Sequence, residues 1–350
     1  MSASNKILQA AAGNAAGEAV YVEDVFSTYL YDGNKVDKDI VNGIDLAGEG
    51  GLVWIKARSG TYTRNHFLFD TERGATKALS SNTTAAESSL TNDLEVFNSD
   101  GFNLGTANNT NSSTEDYVSW SFRKQAGFFD VVTYTGDGTA GRAVSHNLGS
   151  VPGMIIVKMT SGVQQWNVYH RGAHSSTPEN YRLLLDSTSD AGAAGGSWNN
   201  TAPTATEFTL GSGTGTNSSG QTYVAYLFAH DDQSFGDGSD EAIIECGTTD
   251  GSKVTLGWEP QWILHKSSNF SSDWSILDVM RGMPFGQQAQ ELEPHTSDAE
   301  ASSRDDVNSQ NYSPEIYADG FKLGTIVGSH IYVAIRRPMK TPEAGTDVFA

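Results

Sequence analysis

Cysteine is almost missing: Cys246 is the one cysteine in 350 residues. That excludes an intrachain disulfide framework and a cysteine-built zinc site. Cys246 ends the strand-like run Ala242-Ile243-Ile244-Glu245-Cys246 and is expected to act as a small buried hydrophobe. Charge is scarce too, at 18% of residues, below the usual quarter of a soluble domain. Positive charge is scarcer still. The 22 Lys and Arg face 42 Asp and Glu, leaving a formal charge of −20. Such a surface repels phosphate backbones and anionic headgroups, so neither nucleic acid nor a membrane is an expected partner. A solvating, self-repelling coat is the plain reading of that charge. No run of 18 apolar residues exists to span a bilayer. The opening Met1 to Gly17 lacks the apolar core of a secretory signal. A P-loop, a dinucleotide fingerprint, a nucleophile elbow and regular metal-ligand spacing are all missing. Without disulfides, stability has to come from packing, often with oligomerisation.

What is present is repetition. The stretch Leu148 to Gly172 has a Gly/Pro turn, an apolar run Met154 to Val157 ending in Lys158, a polar hairpin, and a second strand with Trp166, Val168 and Tyr169 that closes on Arg171-Gly172. The same pattern runs from Gly48 to Gly74 around Lys56, and from Leu256 to Gly282 around Lys266. The lysines are separated by 102 (158 − 56) and 108 (266 − 158) positions. That period is too long for a solenoid repeat and fits one small domain. Abundant Gly, and Ser, Thr and Asn between short β-branched runs, predict an all-β chain of three tandem antiparallel β-sandwich, jelly-roll-like units. The expected boundaries are an N-terminal arm at 1–20, repeats at 21–126, 127–235 and 236–338, and a linker at 339–350. The units could lie in a row or around a pseudo-threefold axis. Residues Ala75 to Asn92 read as a long loop, and Gly286 to Gln310 as a polar stretch with a short helical turn.

The recurrent cations are the most informative polar residues. Lys56, Lys158 and Lys266 each follow an apolar run, and Arg73, Arg171 and Arg281 each precede a glycine. Threefold recurrence argues for structure rather than catalysis. The lysine stems are expected to cover a sandwich edge, and the guanidinium groups to pair with loop carbonyls or carboxylates. Trp54, Trp166, Trp262 and Trp274 fall in the repeated strands and are expected to pack. Trp198, in a Gly/Asn loop, is the candidate for exposed stacking on a ligand. Asp231, Asp232, Asp237, Asp240 and Glu241 crowd a connector and offer oxygens for calcium, though not at EF-hand spacing. No other cofactor is expected.

Longer strings carry a resemblance. They are Val25 to Tyr31, Asn42 to Leu46 with Gly48 to Lys56, Phe128 to Gly136, His146 to Gly153, Tyr223 to Phe235 and Arg336 to Lys340. Together they resemble virion structural proteins of marine tailed bacteriophages, often labelled tail fibre proteins. The resemblance implies a noncatalytic virion component made without a signal peptide, most simply a tail fibre or tail-associated host-adhesion protein. It further implies a homotrimer, attachment to other virion proteins through Met1 to Glu18, and contact with a host glycan or protein. A head decoration, head fibre or adaptor protein is the alternative within that class. A glycan-binding or glycan-degrading tailspike-like protein is the alternative outside it.

Overall fold

The computed structural model describes residues 19–60, 62–283, 288–302 and 313–340. The arm Met1 to Glu18 and the tail beyond Lys340 lie outside the described residues. The chain is all-β, built from three antiparallel sandwiches of one topology. In the first, a six-stranded sheet runs in the spatial order Phe26–Asp32, Asp116–Arg123, Gly51–Ala57, Phe67–Asp70, Lys77–Ser80, Ser88–Ser89. In the second the order is Phe129–Thr135, Thr222–Phe228, Met154–Met159, Asn167–His170, Tyr181–Leu184, Gly192–Ala193. In the third it is Ile244–Thr249, His330–Arg336, Pro260–Ser267, Ser275–Asp278, Gln290–Leu292, Ala301–Ser302. A smaller sheet covers one face of each: Lys38–Val41 with Gly101–Leu104 and Leu94–Asn98, then Arg142–Ser145 with Glu207–Leu210, then Val254–Thr255 with Gly320–Lys322 and Glu315–Tyr317. The stretch 75–92 is therefore not a plain loop, since it supplies the last two strands of the large sheet. The third unit repeats this with Gln290–Leu292 and Ala301–Ser302, so the described part of the stretch 286–310 carries strands rather than a helical turn, and its residues 286–287 and 303–310 lie outside the described residues.

The central strands Gly51–Ala57, Met154–Met159 and Pro260–Ser267 are buried at every position. A strand covered on one face alternates apolar and polar, whereas one covered on both faces reads as a continuous apolar run. Both faces are covered here, by different partners. Val53, Ile55 and Ala57 point into the first unit's own sandwich, with Phe69, Phe102 and Leu104. Leu52 and Trp54 point the other way, into a core shared by all three units that includes Phe228, Ile156, Trp262 and Val333. Phe122 sits at the junction. Its ring centroid lies 5.6 Å from Phe228 of the second unit and 5.7 Å from Trp262 of the third. The three large sheets thus back onto one another.

Local chemistry repeats with the topology. Tyr31 stacks on Tyr117 at 5.1 Å, and Tyr134 on Tyr223 at 5.1 Å. The Tyr117 hydroxyl accepts from Ser112 N–H and donates to the Asn108 carbonyl, while Tyr223 does the same with Ser218 and Thr214. Gly33 and Gly136 pass so close to this loop that an added Cβ would lie 1.9 Å from Ser112 O and 2.2 Å from Ser218 O. No larger residue fits either turn without moving backbone.

Candidate functional site: three inter-unit seams

The repeated polar residues meet where one unit touches the next. Strand alternation places Lys56 on the same face as Leu52 and Trp54, toward the neighbour rather than over a sandwich edge. All three lysines are at most 1% exposed. Lys158 Nζ donates to its own hairpin, at Met159 O (2.8 Å), and to Thr84 O of the first unit at 3.2 Å. Lys266 Nζ donates to Ser272 O and to Thr188 O of the second unit at 2.9 Å. Lys56 Nζ donates to Arg64 O at 2.8 Å and to Ser297 O of the third unit at 3.1 Å. The second unit thus clasps the first, the third the second, and the first the third.

Backbone and indole groups follow the same cycle. Glu87 N–H donates to Thr160 O, Ala191 N–H to Ser268 O, and Glu300 N–H to Arg58 O, each across a seam. Trp166 Nε1 donates to Ser80 O of the first unit, and Trp274 Nε1 to Leu184 O of the second. His66 takes the equivalent place in the first unit. Its Nδ1 accepts from Trp54 Nε1 at 3.0 Å, and its ring faces the backbone of Glu293 in the third unit. The first and last described stretches also meet, since Glu23 Oε1 accepts from the N–H groups of Met339 and Lys340. The arrangement is a closed ring about a pseudo-threefold axis, a choice that periodicity alone left open.

The arginines obey the cycle twice. Arg73 is paired with Asp70 at 2.6 Å and Glu87 at 3.2 Å, and Asp70 also accepts from Tyr226 Oη of the second unit at 2.8 Å. Arg281 is paired with Asp278 at 2.6 Å and Glu300 at 3.1 Å, and Asp278 accepts from Trp120 Nε1 of the first unit at 3.1 Å. Arg171 breaks the pattern. Sheet register sets Asp70, His170 and Asp278 in equivalent places, so the third residue of the following turn is Arg73, Ala173 or Arg281. Arg171 stands two residues too early and is exposed. With a histidine in place of the aspartate, there is no carboxylate for an arginine to hold. His170 Nε2 instead lies 3.0 Å from Tyr332 O of the third unit.

Trp198 is not an exposed platform. It is 2% exposed and packs edge-on against Tyr169 at 6.0 Å, because the short helix Gly195–Trp198 turns the indole inward. Of the connector acids, Asp237 accepts from Tyr21 Oη and Glu241 pairs with Arg336. Among the described residues, the His/Asp/Glu ligand atoms that converge belong to Asp273, Glu293 and His295, within 4.8 Å of one another. His295 and Asp273 stand where the first unit places the hydrogen-bonded pair Asn82 and Asn65, which makes them a seam contact in kind.

Burial pushes Lys56, Lys158 and Lys266 down to about 8 from the ordinary 10.5. Below pH 8 both folded and unfolded chains carry these charges, and the fold bears the cost of burying them. Between about 8 and 10.5 the unfolded chain still binds protons the folded chain has released, so stability rises with pH. Each lysine adds up to about 1.4 kcal/mol per pH unit in that window. Tyr31, Tyr134 and Tyr226, held well above 10 by burial, reverse the trend at higher pH. The melting temperature is therefore expected to climb from pH 8 to pH 10 and then fall. Lys158→Met should remove about a third of the climb in a circular-dichroism melt series, and an unchanged slope would show that Lys158 is not a buried cation.

Among known proteins, no curated protein and no solved structure matches the chain. A family match covers residues 22–331, which spans the first two sandwiches, all of the third but most of its strand His330–Arg336, and Lys56, Lys158, Lys266, Arg73 and Arg281 with their seam partners. On that match the chain belongs to the family described as Domain of unknown function (DUF7483).

Proposed function

We propose that this chain is a noncatalytic structural component of a bacteriophage virion, a tail fibre or tail-associated host-adhesion protein. The observation that carries this reading is the fate of the recurrent side chains. Lys56, Lys158, Lys266, Arg73 and Arg281 are used up in buried seams that close three sandwiches into one body. Repetition of a reactive group would call for three open sites, whereas repetition of a clasp calls for three closed ones. The resemblance of its longer strings to tailed-phage structural proteins supports the same reading. Because the seams close within one chain, a homotrimer would have to assemble through other surfaces, with Met1 to Glu18 as the attachment segment.

Mass spectrometry of purified particles, followed by immunogold labelling, tests the proposal. The chain is expected in intact virions with label on the tail. Label on the head would replace the tail assignment with a head-decoration role. Absence from purified particles would overturn the virion reading, as would turnover of capsule or lipopolysaccharide by the purified chain.

A further inference from the structure

One seam differs from the other two. In the first unit Arg73 and Glu87 pair at 3.2 Å, and in the third Arg281 and Glu300 pair at 3.1 Å. The edge-strand register makes Ala191 the second unit's counterpart of Glu87 and Glu300. Ala173 is its counterpart of Arg73 and Arg281. Both members of the ion pair are therefore alanine at the seam between the second and third units. A cavity of about 620 Å³ lies there, and Ala173 and Ala191 line it. That volume falls within the usual range for small-molecule sites, roughly 300–1,000 Å³.

The walls indicate what would fit. From the third unit, Thr248, Ser268, Asn269 and Ser329 bring hydroxyl and amide groups. From the second, the His174 ring stacks on Tyr181 at 4.4 Å, giving an aromatic wall. Arg171 and Asp190 also line the cavity, and neither forms an ion pair or a side-chain hydrogen bond among the described residues. Their charges cancel. An anion would meet the field of a chain with a formal charge of −20, and a guanidinium would find no carboxylate where Asp70 and Glu87 stand in the first unit. Hydroxyl groups spaced around an apolar ring face match both the charge pair and the aromatic wall.

We propose that the cavity between the second and third units, opened by alanine at positions 173 and 191, is a binding site for a neutral sugar residue. The site deepens the host-adhesion reading and rests on it for the source of the sugar, a cell-surface glycan.

The test uses the full purified chain with glucose, galactose, mannose and N-acetylglucosamine, read by saturation-transfer NMR and titration calorimetry. At least one sugar is expected to bind with a Kd of order 1 mM, as its small number of atoms allows. The variant A173R/A191E rebuilds the ion pair of the other seams and fills the cavity. It should lose at least tenfold in affinity while its melting temperature holds or rises. Arg171→Ala, at an exposed position, should fold normally and lose about tenfold. Silence from all four sugars at tens of millimolar would overturn the site without touching the virion assignment, which particle analysis tests separately. Undiminished binding by folded A173R/A191E, or by Arg171→Ala if the double variant does not fold, would overturn it too. Stronger binding of glucuronate than of glucose would overturn the neutral-ligand assignment.

Discussion

Below pH 6.5 the protein is expected to lose stability steeply and to unfold between about pH 4 and 5.5. Five histidines are buried, and burial favours the neutral form of each, His146 included. Burial holds His66 and His265 well below the ordinary 6.5, and brings His170 and His330 down to about 4. The contacts explain why a second proton has no place. His170 Nδ1 accepts from Gly172 N–H at 3.0 Å while Nε2 faces Tyr332 O, so protonating Nδ1 would set two N–H groups against each other. His66 Nδ1 is likewise occupied by the Trp54 indole. His265 and His330 face each other through Nδ1 atoms 3.4 Å apart, and charging both is ruled out by repulsion. The unfolded chain takes up these protons near pH 6.5 and the folded chain does not, so stability is whole above 6.5 and falls as pH drops. Each site costs up to about 1.4 kcal/mol per pH unit, so His170 and His330 together lose roughly 5 kcal/mol over two units, and His66 and His265 add in the same direction, against the roughly 5–15 kcal/mol stability of a typical domain. Asp93, Asp186 and Glu245, whose carboxyls burial raises, offset part of the loss. Denaturant titrations from pH 7 to pH 4 measure the slope. His170→Gln should reduce it by one proton's worth, and a stability flat to pH 4.5 would contradict the account.

Arg281→Ala is expected to cost about 3–5 kcal/mol, the usual penalty for stranding a buried charge. Arg281 and Asp278 have fully buried side chains, and the guanidinium also donates to Ile276 O at 2.8 Å and lies 5.5 Å from the Trp120 ring centroid. Its removal leaves the Asp278 carboxylate in the seam with the Trp120 indole and a backbone N–H. Glu300→Ala should cost less, because Arg281 keeps Asp278. The second unit supplies the control, since it has His170, Ala173 and Ala191 in these places. The triple variant D278H/R281A/E300A should therefore be more stable than R281A alone, despite two further changes. Urea midpoints of the variants decide this. A triple variant less stable than R281A would show that the seams are not interchangeable.

The sequence made much of this legible and hid the rest for identifiable reasons. The all-β class and the threefold repeat follow from apolar runs, glycine turns and the recurring lysines, which are properties of each unit by itself. The equivalence of Lys56, Lys158 and Lys266 survives because each sits at a fixed step along a continuous strand. Arg171 misled because the dipeptide Arg-Gly recurs, but the strand before it ends two residues nearer than in the other units. Only sheet register reveals that Ala173, not Arg171, matches Arg73. Trp198 misled because a Gly/Asn-rich surround suggests exposure, whereas a one-turn helix folds the indole under. Ring closure was hidden because its contacts join residues far apart, such as Lys56 with Ser297 and Lys158 with Thr84. One hint was available: runs buried on both faces, such as Gly51–Ala57, need a second partner beyond their own sandwich.

Scanning calorimetry of the intact chain tests the shared core most directly. If Phe122, Trp262 and Phe228 belong to one core, the three units melt together. The expected trace is one transition whose van't Hoff enthalpy equals the calorimetric value, of order 200 kcal/mol, against about 70 for a hundred-residue unit melting alone. Three resolved transitions, or an isolated 127–235 fragment that melts cooperatively at the temperature of the whole, would contradict it.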